Sequence, residues 1–112
     1  MLNTVAELTE YQRRAEKLLS EKERQDIVSY LAAFPRDGDL IKGTGGVRKL
    51  RWRRSGRGKS GGVRVIYYFH SERMPLYLLT VFAKNERADL TQAERNELAK
   101  YVEVLVETGL GE

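Results

Sequence analysis

The stretch "VRKLRWRRSGRGKSGGVRVIYYFH", residues 47 to 70, decides the fold of this chain. In residues 47–53 Leu50 and Trp52 share one face, and Lys49, Arg51 and Arg53 share the other, because side chains alternate across an extended strand. In residues 63–70 Val63, Val65, Tyr67 and Phe69 alternate with Arg64, Ile66, Tyr68 and His70. β-branched and aromatic residues fill both runs, and the glycine-rich "SGRGKSGG" between them reads as a hairpin loop. A third run, "LYLLTVFAK" at 76–84, follows after a short polar turn. Three such runs in succession predict an antiparallel meander.

On either side the apolar period lengthens to that of a helix. "LTEYQRRAEKLL" (8–19) opens with Thr9 and Gln12 at capping-box spacing, and Tyr11, Ala15, Leu18 and Leu19 fall on one helical face. "SEKERQDIVSYLAAFP" (20–35) repeats the device with Ser20 and Glu23. Ile27, Tyr30, Leu31 and Phe34 make its stripe, and Pro35 stops it. The two segments predict a helical hairpin. "RDGDLIKGTGG" (36–46) is a loop. "DLTQAERNELAKYVEVLVETG" (89–109) carries a third capping box at Thr91 and Glu94. Leu98, Tyr101, Val102 and Leu105 form its inward stripe, and Gly109 ends it. "MLNTVAE" at the start reads as a short strand.

The predicted fold class is therefore α+β. An antiparallel sheet of three to four strands is joined by an N-terminal helical hairpin and a C-terminal helix, in a single domain over residues 1–112. The helices are expected on one sheet face, with the other left open to solvent or a ligand.

Composition narrows the chemistry. The chain has no cysteine and one histidine, His70. Zinc–thiolate sites, thiol nucleophiles and multi-histidine metal sites are thereby excluded, and no metal or other cofactor is expected. No apolar run approaches a membrane span, so a cytoplasmic location is the expectation. "GKS" at 58–60 looks like the tail of a phosphate-binding P-loop. That motif requires a leading glycine where Arg53 stands and a following helix where "GGVRVIYYF" is strand-like.

The net charge is +4, and its distribution is uneven. Nine basic residues lie between Lys42 and Arg64, and no Asp or Glu occurs from Leu40 to Ser71. Outside this stretch sixteen acidic residues outnumber the other eleven basic ones. An acidic body with a basic middle suits a polyanionic partner. With Arg64 beside Lys49 and Arg51, three cationic groups would repel by up to about 1 kcal/mol per close pair in water. A phosphate backbone would relieve that strain and release counterions. Edge charges that discourage strand-to-strand aggregation are the alternative. Arg48, Arg53, Arg54, Arg57 and Lys59 complete the candidate RNA-binding set. Trp52 has two readings, core residue or base-stacking platform. Tyr67 and Tyr68 read as packing residues whose hydroxyls could reach a substrate, and His70 as a structural residue or an acid–base group. Lys84 ends the third strand, as a surface lysine or a functional one.

At "GTGGVRKLRW", "GKSGGVRVIYYF" and "LYLLTVFAKNERADLT" the sequence resembles the RelE/HigB toxins of bacterial toxin–antitoxin systems, most closely the HigB-like branch. The likeness runs from about Asp37 to Leu105. It implies the small α+β fold of the RelE-like microbial ribonucleases, cleavage of messenger RNA in the ribosomal A site, and neutralisation by a cognate helix-turn-helix antitoxin. It also implies that Lys49, Arg51, Arg64 and Lys84 are the catalytic set. The RelE branch carries an arginine after the Lys84 position and a tyrosine further on, where this chain has Asn85 and Thr91. The related ParE toxins share the fold and poison DNA gyrase, so a non-catalytic gyrase inhibitor or nucleic-acid-binding module is the alternative. In RNA the 2′-hydroxyl can attack its own phosphate, and fixed Arg and Lys groups can stabilise the charge that develops. Arg64 would clamp the phosphate. Lys49 and Lys84 are the candidate proton acceptors, since a crowded cationic field favours loss of a proton.

Overall fold

The computed structural model describes residues 2–54 and 62–109. The chain runs β1 (Val5–Glu7), α1 (Thr9–Leu18), α2 (Glu21–Ala33), β2 (Asp39–Leu40), β3 (Val47–Arg53), β4 (Gly62–Tyr68), β5 (Leu76–Ala83), α3 (Gln92–Gly109). One five-stranded sheet has the order β1-β5-β4-β3-β2. The three long central strands form the antiparallel meander that the alternation predicts. The edges add what sequence undercounts. β1 pairs parallel to β5, and the two residues of β2 lie within the segment read as a loop.

The capping signals divide. Ser20 and Glu23 close a full capping box on α2: the Ser20 N–H donates to Glu23 Oε1 at 2.9 Å, and the Glu23 N–H to Ser20 Oγ at 3.1 Å. Thr91 and Glu94 do the same before α3, at 2.8 and 3.1 Å. Thr9 does not cap α1. Leu8 holds the cap position with no side-chain bond. Its own N–H is taken by the Leu78 carbonyl at 3.1 Å, so the chain passes from strand to helix without a free residue between them.

The expectation of one covered and one open sheet face is corrected. α1 and α2 pack on one face, where Tyr11, Ala15, Leu19, Ile27 and Leu31 meet Leu50, Val63, Val65, Tyr67, Leu76, Leu78 and Val81. α3 packs on the other, where Val102, Leu98 and Leu105 meet Val47, Ile66, Tyr68, Leu79 and Phe82. The physical reason lies in β4. It is the middle strand, and both of its alternating sets hold large apolar residues, each worth about 1.5–3 kcal/mol when taken out of water. Neither face of the sheet can stay fully exposed. A register shift after Ile66, where Ile66 pairs with Thr80 and Tyr67 with Leu78, leaves Leu79 as the extra residue, which packs under α3. Two residues assigned to apolar stripes stay outside: Phe34 is 57 % exposed and Tyr101 also reaches solvent.

A candidate nucleic-acid interface

Strand register places the basic residues. On the α3 side of the sheet the facing rows are Val47–Tyr68, Lys49–Ile66–Thr80, Arg51–Arg64–Phe82 and Arg53–Gly62. The first row is apolar and lies under α3. Moving along the strands, the rows become cationic. α3 packs with the apolar members of these rows, Ile66 and Phe82 among them, while Arg51 and Arg53 on β3 stay exposed.

Arg51 and Arg64 are direct cross-strand partners. Like charges set opposite each other in a ladder destabilise it. Among the described residues no carboxylate pairs with either guanidinium, nor with Arg53. Arg64 is 9 % exposed. Its Nη1 donates to the Val63 carbonyl at 3.3 Å. Gly62 beside it has no side chain, and a Cβ there would come within 3.6 Å of that Nη1. The buried guanidinium is thus held by β4 backbone, with Phe82 as its register partner on the next strand.

Lys49 is differently placed. Its Nζ lies 3.2 Å from Asp89 Oδ2, and Arg95 reaches the same oxygen at 3.4 Å. Asp89 Oδ1 accepts the Leu90 N–H at 2.8 Å. Burial alone would raise the Asp89 carboxyl, but the Leu90 N–H, Lys49 and Arg95 together hold it below the usual carboxylate value. Lys84 is exposed and follows β5. Its N–H donates to the Gly62 carbonyl at 3.0 Å, which sets it at the basic end, in line with Arg53 and Gly62.

The other candidates lie apart. Arg48 sits on the opposite face and clamps the loop before β2, donating from Nη1 to the carbonyls of Gly38 (2.8 Å) and Arg36 (3.0 Å). Arg54 is buried, and its Nη1 donates to the Leu18 carbonyl at the end of α1 (3.3 Å). Arg57 and Lys59 lie outside the described residues. Trp52 packs edge-on against Tyr30, with centroids 5.7 Å apart. The Tyr67 hydroxyl is buried and accepts the Gly38 N–H at 2.8 Å. Tyr68 is in the α3-side core. His70 is exposed just beyond Tyr68, at the end of β4 away from Arg64, with Nδ1 3.2 Å from Ser71 Oγ.

Sequence reading missed Arg87. In the chain it stands between Glu86 and Asp89, where the charges look balanced. In the structure its guanidinium lies 4.7 Å from the centroid of Phe82, the residue opposite Arg64, so a further cation borders the cluster. Its Nη2 donates to Glu94 Oε2 at 2.9 Å. Burial would raise the Glu94 carboxyl, but the Thr91 N–H and Arg87 outweigh it and hold it low. Glu94 is also the capping-box acid of α3, so helix start and arginine are fixed by one side chain. No periodic pattern in the sequence could have shown this, because the contact depends on where the turn after β5 returns.

Chemically, a guanidinium can donate two bonds to an oxyanion, and this pair of cross-strand arginines has no carboxylate paired with it among the described residues. The profile of the family described as "RelE toxin of RelE / RelB toxin-antitoxin system" matches residues 5–110 of the chain. The E. coli toxin RelE, in a free-state structure of a double arginine-to-alanine mutant, superposes with a TM-score of 0.59 at 15% sequence identity. That likeness covers 91% of this chain and 98% of the E. coli one. At this identity it is a likeness of fold.

Proposed function

The chain belongs to the RelE toxin family, and on that premise we propose that it is a single-domain, ribosome-dependent messenger RNA endoribonuclease, held in check by a cognate helix-turn-helix antitoxin. The observation that carries the reading is the Arg51–Arg64 pair, set opposite one another without a carboxylate among the described residues. A cell's RNA is the abundant polyanion that such a pair would favour.

In the proposed reaction the 2′-oxygen forms a bond to the adjacent phosphorus while the bond from phosphorus to the 5′-oxygen breaks. The products are a 2′,3′-cyclic phosphate end and a 5′-hydroxyl end. The proton leaves the 2′-hydroxyl and another is delivered to the 5′-oxygen. Arg64, largely buried and anchored to the Val63 carbonyl, binds the phosphoryl oxygens as charge gathers on them, with Arg51 as its partner across the ladder. Lys49 and Arg51 hold the scissile region, and Asp89 positions the Lys49 ammonium. Lys84, exposed at the same sheet end, takes the 2′ proton only in its neutral amine form, and the ammonium so formed delivers a proton to the 5′-oxygen; Lys49 would first have to leave Asp89. The ribosome supplies the remaining alignment by fixing the RNA's conformation.

Primer extension on a translated messenger RNA tests this with the wild-type chain, Arg64→Ala, Arg51→Ala and Lys49→Ala. Wild type is expected to cut. Loss of Arg64 should slow cutting by about 100- to 1,000-fold, the usual effect of removing one electrostatic donor. Unchanged cutting in Arg64→Ala and Arg51→Ala would refute the site. A wild-type chain that cuts nothing but blocks supercoiling by gyrase would refute the nuclease.

A further inference from the structure

We propose that Asp89 is a positioning residue that acts through Lys49. In the free chain it holds that lysine as an internal substitute for a phosphate. When RNA arrives it passes the lysine to the phosphodiester and is itself retained by Arg95.

The two acids around the start of α3 are used differently. Glu94 is committed at both oxygens: Oε1 accepts the Thr91 N–H at 2.8 Å, and Oε2 accepts from Arg87 at 2.9 Å. Asp89 is divided. Its Oδ1 accepts the Leu90 N–H at 2.8 Å, while its Oδ2 lies 3.2 Å from Lys49 Nζ and 3.4 Å from Arg95 Nη2. One oxygen thus serves a cation on β3 and a cation on α3. Arg95 has a donor to spare. Its Nε is buried and has no hydrogen-bond partner among the described residues. Nε and Nη2 lie on one edge of a guanidinium, an edge that grips a carboxylate with two parallel bonds. Here Nη2 meets Asp89 and Nε does not. A buried donor without a partner is costly, so departure of Lys49 lets the carboxylate turn onto the waiting Nε–H.

Lys49 is placed to leave. It shares its face of β3 with Arg51, which has no carboxylate paired with it among the described residues. An ammonium carries three donors, so a phosphate held by Arg51 can engage Lys49 before Asp89 has let go. Asp39 is the register partner of Lys49 on β2, yet no ion pair joins the two among the described residues. The acid that holds the lysine comes instead from the distant turn. A carboxylate and a phosphodiester each carry one negative charge. Exchanging one for the other keeps Lys49 neutralised throughout, and Arg95 keeps Asp89 neutralised, so no partly buried charge is stranded. That the arriving phosphate belongs to messenger RNA rests on the proposed nuclease reading. The division of Asp89 between two cations does not.

The probe is a short 2′-O-methyl RNA, which lacks the attacking hydroxyl and reports binding alone, titrated into the full chain over a series of salt concentrations. Asp89→Asn frees Lys49 and should tighten binding about fivefold. Its salt slope should steepen by about 0.7, the share of one added phosphate contact on a single strand. Asp39→Asn makes the same change of net charge beside the same lysine and should stay within about twofold of wild type. Arg95→Lys keeps the charge but lacks the two-donor edge, so it should weaken binding about threefold. In a Lys49→Met background the Asp89→Asn gain should vanish. A gain that survives there, or that Asp39→Asn matches, would mean net charge alone and would overturn the proposal. Weaker binding by Asp89→Asn would mean a purely structural role and would overturn it too, as would Arg95→Lys binding like wild type, or no binding by any variant. The expected pattern in a chain that cuts no RNA sinks the nuclease reading and leaves the exchange standing. RNA cutting by a chain without the Lys49–Asp89 coupling does the reverse.

Discussion

At the scale of single residues, polar groups here are costly wherever they lack a partner. Tyr11 is 0 % exposed in the α1–α2 core, and its hydroxyl has no hydrogen-bond partner among the described residues. Burial, then the neighbouring Glu7 charge, pushes its ionisation well above the tyrosine range, with Arg24 acting weakly the other way. The hydroxyl therefore stays neutral and unpaired. Tyr11→Phe keeps the ring and removes the orphan, so it should stabilise the chain by about 1 kcal/mol, seen as a higher denaturant midpoint with an unchanged slope. A lowered midpoint would show that the hydroxyl has a use. Sequence placed Tyr11 on the apolar face correctly. It could not show that the hydroxyl would be stranded there.

At the scale of elements, the turn from α2 into β2 depends on a glycine. A Cβ on Gly38 would lie 2.8 Å from both Cε1 and Oη of Tyr67, and 3.1 Å from the Lys49 carbonyl oxygen. The Gly38 N–H is also the Tyr67 hydroxyl's donor. Two of the three crowding atoms belong to a buried ring that cannot swing away. Gly38→Ala is expected to cost about 1–3 kcal/mol, read as a drop in thermal midpoint. Since this turn also aligns β2 against β3, amide protection at Arg48 and Lys49 should fall with it. Helix starts were legible where a side chain does the capping, as at Ser20 and Thr91. At Thr9 the signal misled, because the sheet had already taken the Leu8 N–H. β2 was illegible, since a two-residue strand has no period to read.

Across the whole molecule, acid should act on the α3 side first. The Asp89 and Glu94 carboxyls are both held below their ordinary values of 3.8 and 4.5. A depressed carboxyl contributes stability that is present above its ordinary value and lost as pH falls through the folded value. Urea midpoints are therefore expected to hold from neutrality to about pH 5 and to decline steadily below pH 4. Asp89→Asn and Glu94→Gln should each lower the plateau and flatten the decline. Equal slopes in wild type and variants would show that these two carboxyls do not carry the acid response. The same two acids tie Lys49 and Arg87 to the start of α3, so the basic cluster and that helix should loosen together.

Some of this was settled before the chain folded. The period change at residue 47 determined an α+β chain with a central meander, and alternation placed Lys49, Arg51 and Arg53 on one face, because that face is fixed by each strand's own backbone. The acid-free run from Leu40 to Ser71 likewise ensured a cationic middle. Tertiary structure alone decided which cations remain unspent. Lys49 meets Asp89 forty residues away, Arg54 ends against α1, and Arg48 turns to a loop carbonyl, while Arg51 and Arg64 face each other. Strand alternation repeats every two residues and is local. Register across a hairpin and the return of a distant turn are not, so a charge's neighbours are set only when the layers close.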